Sequence, residues 1–120
     1  MYSMATTIVI VDDEPAFRTV VRALLEAGGF EVVGEAADVR GALAAGRSAR
    51  PDVVLLDVRL PDGSGVDAAR VMRGWVDPPL VVLTSTADYS HAVVGCGATG
   101  FVPKNALSAA AVHSLIDATS

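Results

Sequence analysis

Four short apolar runs, each stopping on a polar residue that phosphate chemistry can use, constrain this chain more than any other feature. Ile8-Val9-Ile10-Val11 stops on Asp12 and Asp13, and Val53-Val54-Leu55-Leu56 stops on Asp57. Leu80-Val81-Val82-Leu83 stops on Thr84, and Phe101-Val102-Pro103 stops on Lys104. Runs this short, rich in Val and Ile and without polar alternation, fit strands buried on both faces. In a parallel sheet the carboxyl ends of the strands share one edge, and ligands bind in the crevice outside it. Parallel pairing of all four runs therefore gathers three carboxylates, a hydroxyl and an ammonium in one place.

The segments between the runs have helical spacing. Pro15 suits a first helical position with Glu14 as its cap. Phe17, Val20, Val21, Leu24 and Leu25 then recur so as to face a sheet, and Gly28-Gly29 ends that helix. Phe30 to Gly34 reads as a second strand and Asp38 to Arg47 as a weak helix poor in large apolar residues. Pro51-Asp52 leads into the strand that ends at Asp57. Pro61-Asp62-Gly63 is a turn, and Ser64 with Asp67 resembles a capping box for a helix to about Arg73. After the Asp77-Pro78-Pro79 break and the fourth strand, Asp88 to Cys96 is a short helix with glycines near its end. Thr99 to Pro103 is a fifth strand, and Leu107, Ala111, Val112, Leu115 and Ile116 mark a last amphipathic helix. Strand alternating with helix five times specifies an α/β fold: one five-stranded parallel sheet covered on both faces.

Composition excludes several alternatives. With 52% hydrophobic and 19% charged residues in 120, the chain folds as one globular domain and is not disordered. The net charge of −5 and the absence of a basic cluster argue against nucleic-acid binding by this domain. Cys96 is the only cysteine, which rules out an intramolecular disulfide and suits a small buried residue. Met1 to Thr7 has no basic leader region, and no stretch approaches a membrane span, so a cytoplasmic location is expected.

Lys104 is the only lysine; the other eight basic residues are arginine. An ammonium is a compact point charge, whereas guanidinium is a planar fork that a narrow site excludes. Asp12, Asp13 and Asp57 side by side would repel one another and raise one or more pKa values unless a cation joins them. Magnesium fits, because it takes oxygen ligands in octahedral geometry and keeps several waters. A carboxylate can also attack phosphorus to form an acyl phosphate. Magnesium, Lys104 and the Thr84 hydroxyl would then share the charge of the transferring group. Singly, Asp12-Asp13 is a turn before a helix, Asp57 a strand-ending turn residue and Thr84 uninformative. Their joint placement at strand ends carries the argument. His91 and His113 have no metal-ligand spacing and read as surface or satisfied histidines, and Trp75 reads as half-buried packing.

The motifs Val-Asp-Asp-Glu at 11–14, Leu-Leu-Asp-Val-Arg-Leu-Pro-Asp-Gly-Ser-Gly at 55–65, Leu-Thr-Ser at 83–85 and Gly-Ala-Thr-Gly-Phe-Val-Pro-Lys at 97–104 resemble one family. It is that of the response-regulator receiver domains of two-component signalling, and the resemblance runs from Thr7 to about Ala118. The segment from Phe101 to Leu107 looks most like receivers attached to helix-turn-helix DNA-binding outputs. The resemblance implies a doubly wound flavodoxin-like (βα)5 fold with strand order 2-1-3-4-5. It implies that residues 1–120 form the receiver, with no output domain following. Asp57 would accept a phosphoryl group from the phosphohistidine of a sensor histidine kinase. Asp13, Asp57 and the Arg59 carbonyl would ligand Mg2+ directly, Asp12 would act through water, and Lys104 would contact a phosphoryl oxygen. Thr84 and Phe101 match the hydroxyl and aromatic positions that reorient on activation. That change would remodel the face carrying the fourth helix, fifth strand and fifth helix for an output domain, a protein partner or a second copy.

Three departures from the family pattern stand out. Asn105 replaces the proline that often follows the lysine, Phe101 lacks the hydroxyl of the common tyrosine, and the span from Thr84 to Lys104 is about two residues short, which leaves the fourth helix short or irregular. Two rivals remain at this point. An aspartate-nucleophile phosphohydrolase would want a carboxylate two residues after Asp57, where Arg59 stands. A flavin-binding domain would want a Ser/Thr/Gly-rich loop after the first strand, where Asp12-Asp13-Glu14 would repel phosphate.

Overall fold

A computed structural model of the chain describes residues 5–118; part of the Met1 to Thr7 stretch read above for a leader lies outside the described residues. The sheet strands are β1 (Thr7–Val11), β2 (Glu31–Ala36), β3 (Val53–Asp57), β4 (Leu80–Ser85) and β5 (Gly100–Pro103). All neighbours pair parallel, in the order β2-β1-β3-β4-β5. The order reverses between β1 and β3, and such a switch point opens the crevice where α/β sheets bind ligands. The helices are α1 (Pro15–Ala27), α2 (Val39–Ala49), α3 (Gly65–Arg73), α4 (Val93–Cys96) and α5 (Ala109–Asp117).

Every residue of β3 is buried, as a central strand with helices on both faces requires. One core layer joins Ile8, Ile10, Leu55 and Val82 to Val21 and Leu25 of α1 and Val112 and Ile116 of α5. The other joins Val9, Val11, Leu56 and Leu83 to Ala42 of α2, Ala68 and Met72 of α3 and Cys96. Each fully buried Val, Leu or Ile contributes about 1.5–3 kcal/mol from apolar surface removed from water. The two layers anchor the strands, and the strands carry the site at their ends.

Several local expectations are corrected. Val20 is 58% and Leu24 46% exposed, so α1 seats only Phe17, Val21 and Leu25 against the sheet. Glu14 occupies the cap position of α1 without a side-chain cap bond; the Asp12 carboxylate instead accepts the Glu14 N–H at 2.9 Å. Ser64 caps α3 by accepting from the Val66 N–H, but Asp67 turns away to pair with Arg70, so the reciprocal half of the capping box is missing. Asp62, expected as a plain turn residue, accepts from the N–H groups of Val39 and Arg40 and so caps α2 from across the chain. That helix runs to Ala49 and ends on Arg50 in the left-handed region, φ 47°. The second strand starts and ends later than read, at Glu31 and Ala36.

The segment after β4 is irregular, as its length suggested. A 3-10 turn over Ser90–Ala92 precedes α4, which is a single turn ended by Gly97 at φ 78°. Cys96 is fully buried there. His113 contacts the Gly28 carbonyl at 2.9 Å and stacks on Phe30, a satisfied histidine that ties α5 to the end of α1. Trp75 is half-buried beside Gly46 with the Arg47 guanidinium 5.1 Å from its ring. No helix among the described residues is long and apolar enough to cross a membrane.

Candidate functional site

The parallel register fixes where the polar strand ends meet. Asp57 lies opposite Thr84 across β3 and β4, and Thr84 lies opposite Val102, two residues before Lys104. Across β1 and β3 the ladder ends at Val11 and Leu56, so Asp12 and Asp57 follow it side by side. One carboxylate oxygen from each of Asp12, Asp13 and Asp57 lies within 4.8 Å of the others. Asp12 is 1% and Asp57 4% exposed, whereas Asp13 is exposed.

Lys104 bridges the two buried acids, with its ammonium 2.6 Å from Asp12 Oδ2 and 3.0 Å from Asp57 Oδ2. Burial alone would lower the Lys104 pKa, but the two carboxylates outweigh it and raise the value. Burial pushes the Asp57 carboxyl up; Lys104 partly offsets this, and the Asp12 charge adds to it. Asp57 Oδ1 also accepts the Arg59 N–H at 3.2 Å, while the exposed Arg59 side chain belongs to a two-residue strand pairing Arg59–Leu60 with Gly63–Ser64. Gly65 opens α3 directly against the Asp57 carbonyl, and its N–H donates to the Val58 carbonyl at 2.8 Å. A Cβ at Gly65 would collide with that carbonyl, so this close approach requires glycine.

Thr84 is 1% exposed and its hydroxyl has no hydrogen-bond partner. A buried orphan hydroxyl costs free energy, which an acceptor oxygen arriving at the strand end would recover. Phe101 lies half-buried on β5 against the layer that contains Leu83 and Cys96. The neighbourhood therefore holds three carboxylates against one ammonium, an excess of negative charge in a mostly buried place. That donor set suits a hard divalent cation, which would oppose the burial and the Asp12 repulsion that raise Asp57.

Sequence reasoning missed two contributors. The Phe17 ring, expected only as core, lies 4.5 Å beneath the Lys104 ammonium. Arg18, to which no role was assigned, reaches the Asp12 carbonyl. The usable signal was their position, one turn after Asp13 and Glu14 on the helix that starts at the acidic pair. A cavity of about 530 Å³ lined by Arg47, Arg50, Trp75 and Pro78 lies at the opposite sheet edge, away from these groups.

A buried aspartate at the switch point of a (βα)5 sheet, flanked by an acidic pair, a lysine and a hydroxyl, is the constellation that the family resemblance in the sequence implied. Comparison with known proteins agrees with it. The model of the response regulator receiver domain family matches residues 8–116. The transcriptional regulatory protein KdpE of Mycobacterium tuberculosis is 39% identical over 101 residues, covering 82% of this chain and 44% of that protein. The probable transcriptional regulatory protein NarL of the same organism is 39% identical over 114 residues, 92% of this chain and 53% of that protein. The solved signal receiver domain of the M. tuberculosis response regulator NarL superposes with a TM-score of 0.85 at 35% identity, covering 97% of both chains. The chain belongs to the response regulator receiver domain family, a family of signalling modules. It spans about half the length of the curated relatives it matches.

Proposed function

We propose that residues 1–120 act as a phosphorylation-dependent switch in which Asp57 accepts a phosphoryl group from the phosphohistidine of a sensor histidine kinase. The observation that supports this most is the pairing of a buried carboxylate on the central strand with the Lys104 ammonium at 3.0 Å and the unpartnered Thr84 hydroxyl across the register. An Asp57 carboxylate oxygen attacks phosphorus; the P–N bond to the donor imidazole breaks, and its electron pair stays on that nitrogen. Lys104 and the Thr84 hydroxyl then hold phosphoryl oxygens. Asp13, Asp57 and the Arg59 carbonyl would hold Mg2+, with Asp12 acting through water. When bound, the ion neutralises charge on the phosphoryl oxygens.

Filling the space around Thr84 draws in its hydroxyl and frees volume for Phe101. The surface formed by α4, β5 and α5 would then pass the signal to an output domain, a protein partner or a second copy of the chain. The names of KdpE and NarL make transcription the favoured output, through a domain other than this one. The phosphohydrolase alternative loses ground, since Arg59 is exposed where a general acid would be needed and the family is one of signalling modules.

The test is incubation with acetyl phosphate and Mg2+, followed by intact and peptide mass spectrometry. One acid-stable, base-labile phosphoryl group is expected on Asp57, absent from Asp57→Asn. Persistence of that group in the variant would overturn the assignment.

A further inference from the structure

We propose that Arg18 and Glu35 are a positioning pair that fixes the Asp12–Asp13 peptide for cation binding, an inference that rests on reading the acidic cluster as a Mg2+ site. Asp12 is the first residue beyond β1. Its N–H still donates to the Ala36 carbonyl at 3.0 Å, but its own carbonyl has left the β1–β3 ladder. A backbone carbonyl there needs a donor. The Arg18 guanidinium supplies one, with Nη1 at 2.6 Å.

The direction of that guanidinium is set from the far side. Glu35 of β2, in register with Ile10, accepts from Arg18 Nε at 2.9 Å. Arg22, one turn further along α1, donates to the other Glu35 oxygen at 2.8 Å. The Arg22 bond, helped by Arg18, holds the Glu35 carboxyl below the ordinary glutamate range, so it stays ionised. The Arg18 side chain is only 18% exposed, against 42% for Arg22, which separates it from an ordinary solvated arginine.

With the Arg18 bond made, the N–H, carbonyl and Oδ1 of Asp12 are all hydrogen-bonded, and Oδ2 is ion-paired. Its N–H meets Ala36, its carbonyl meets Arg18, Oδ1 accepts from Glu14, and Oδ2 faces Lys104. The carbonyl of Asp12 and the N–H of Asp13 belong to one planar peptide. Fixing that plane sets the direction in which the exposed Asp13 carboxylate leaves the backbone. Arg18 therefore touches neither cation nor phosphoryl group, yet governs a metal ligand. Partners of this outer kind shift metal affinity about 10–100-fold when removed. An ordinary surface ion pair would alter stability slightly and metal affinity not at all.

The test compares wild type, Arg18→Met, Arg18→Lys and Glu35→Gln by Mg2+ titration of the Asp12, Asp13 and Glu14 amides in NMR, alongside thermal melting. Arg18→Met is expected to weaken Mg2+ binding about tenfold. Arg18→Lys, which can still donate to the carbonyl, should recover part of that loss, and Glu35→Gln should cost a smaller factor than Arg18→Met. Amide exchange at Asp13 should quicken in Arg18→Met in step with the lost affinity. Wild-type Mg2+ affinity in Arg18→Met, even with a lowered melting temperature, would reduce the pair to a brace and overturn the inference. Should Arg18→Met not fold, Glu35→Gln decides, and unchanged affinity there overturns it equally. If the wild type takes no phosphoryl group on Asp57, the function proposed above fails. If it does, and the variants bind Mg2+ normally, only the Arg18 inference fails.

Discussion

The two flanks of the acidic edge are built to different standards. On one side α1 is a continuous helix of 13 residues, and its first turns present Phe17 to Lys104 and Arg18 to the Asp12 carbonyl. On the other side, between β4 and β5, the chain manages a 3-10 turn and a single turn of helix. Gly95 there has nothing within 4 Å of where a Cβ would stand, and Val94 is 89% exposed. The Thr84 hydroxyl on that side is buried without a partner, while Asp12 on the α1 side has its N–H, carbonyl and Oδ1 hydrogen-bonded and its Oδ2 in an ion pair with Lys104. Local stability follows buried contacts and satisfied hydrogen bonds. The side that carries Asp12 and Asp13 is thus braced to stay still, and the side that carries Thr84 has little to lose by moving.

Lys104 joins the flanks, so removing it should have the largest effect on stability. Lys104→Ala leaves two buried carboxylates facing each other without their shared cation. We expect a loss of about 2 kcal/mol in urea unfolding without metal, less than for a wholly buried pair because the lysine is part-exposed. Saturating Mg2+ should recover much of it. A variant as stable as wild type without metal would mean the flanks are not coupled through charge.

Asp57→Asn should act in the opposite direction. Burial raises the Asp57 pKa, so the folded state holds that proton more tightly than the unfolded chain. The group's contribution is fully present below the unfolded-state pKa and is lost as pH rises through the higher folded value. Above that folded-state value the metal-free protein carries the cost of the ionised carboxylate. Asparagine removes that cost, and a gain of about 1 kcal/mol, or about 4 °C in melting temperature, is expected. The gap should close as pH falls below the ordinary aspartate range. A variant less stable than wild type at pH 7 would contradict the sign.

Much of this organisation was legible in the chain before folding. The strands and their polar ends were readable because a fully buried strand leaves an uninterrupted apolar run, and Asp12, Asp13, Asp57, Thr84 and Lys104 punctuate those runs. Details that depend on distant partners were not. The apolar residues of α1 cover an arc of about 140° at about 100° per residue. Periodicity could not tell that the sheet takes only the Phe17, Val21 and Leu25 side, leaving Val20 and Leu24 to solvent. Asp62 looked like a turn because its role as a cap on α2 is met by residues 22 and 23 positions away. Arg18 looked like any helix arginine, since its worth depends on Glu35 of a neighbouring strand.

Gly95→Ala should have a smaller effect, confined to the irregular flank. The position is helical and open, so alanine should add about 0.5–1 kcal/mol through lost freedom of the unfolded chain. Amide exchange should slow from Ser90 to Cys96 and stay unchanged in α1. Equal slowing in both would show that the flanks share one cooperative unit.

The most direct test adds beryllofluoride with Mg2+ and follows backbone amide shifts along the whole chain. Such a mimic can move an equilibrium only by its differential affinity for the two states, here supplied by Thr84 and Lys104. Large changes are expected from Thr84 to Leu115, much reduced in Thr84→Ala, with the body of α1 nearly still beyond its first turn. Binding that shifts α1 as much as the segment from Thr84 to Leu115, or that leaves this segment unmoved, would contradict that expectation.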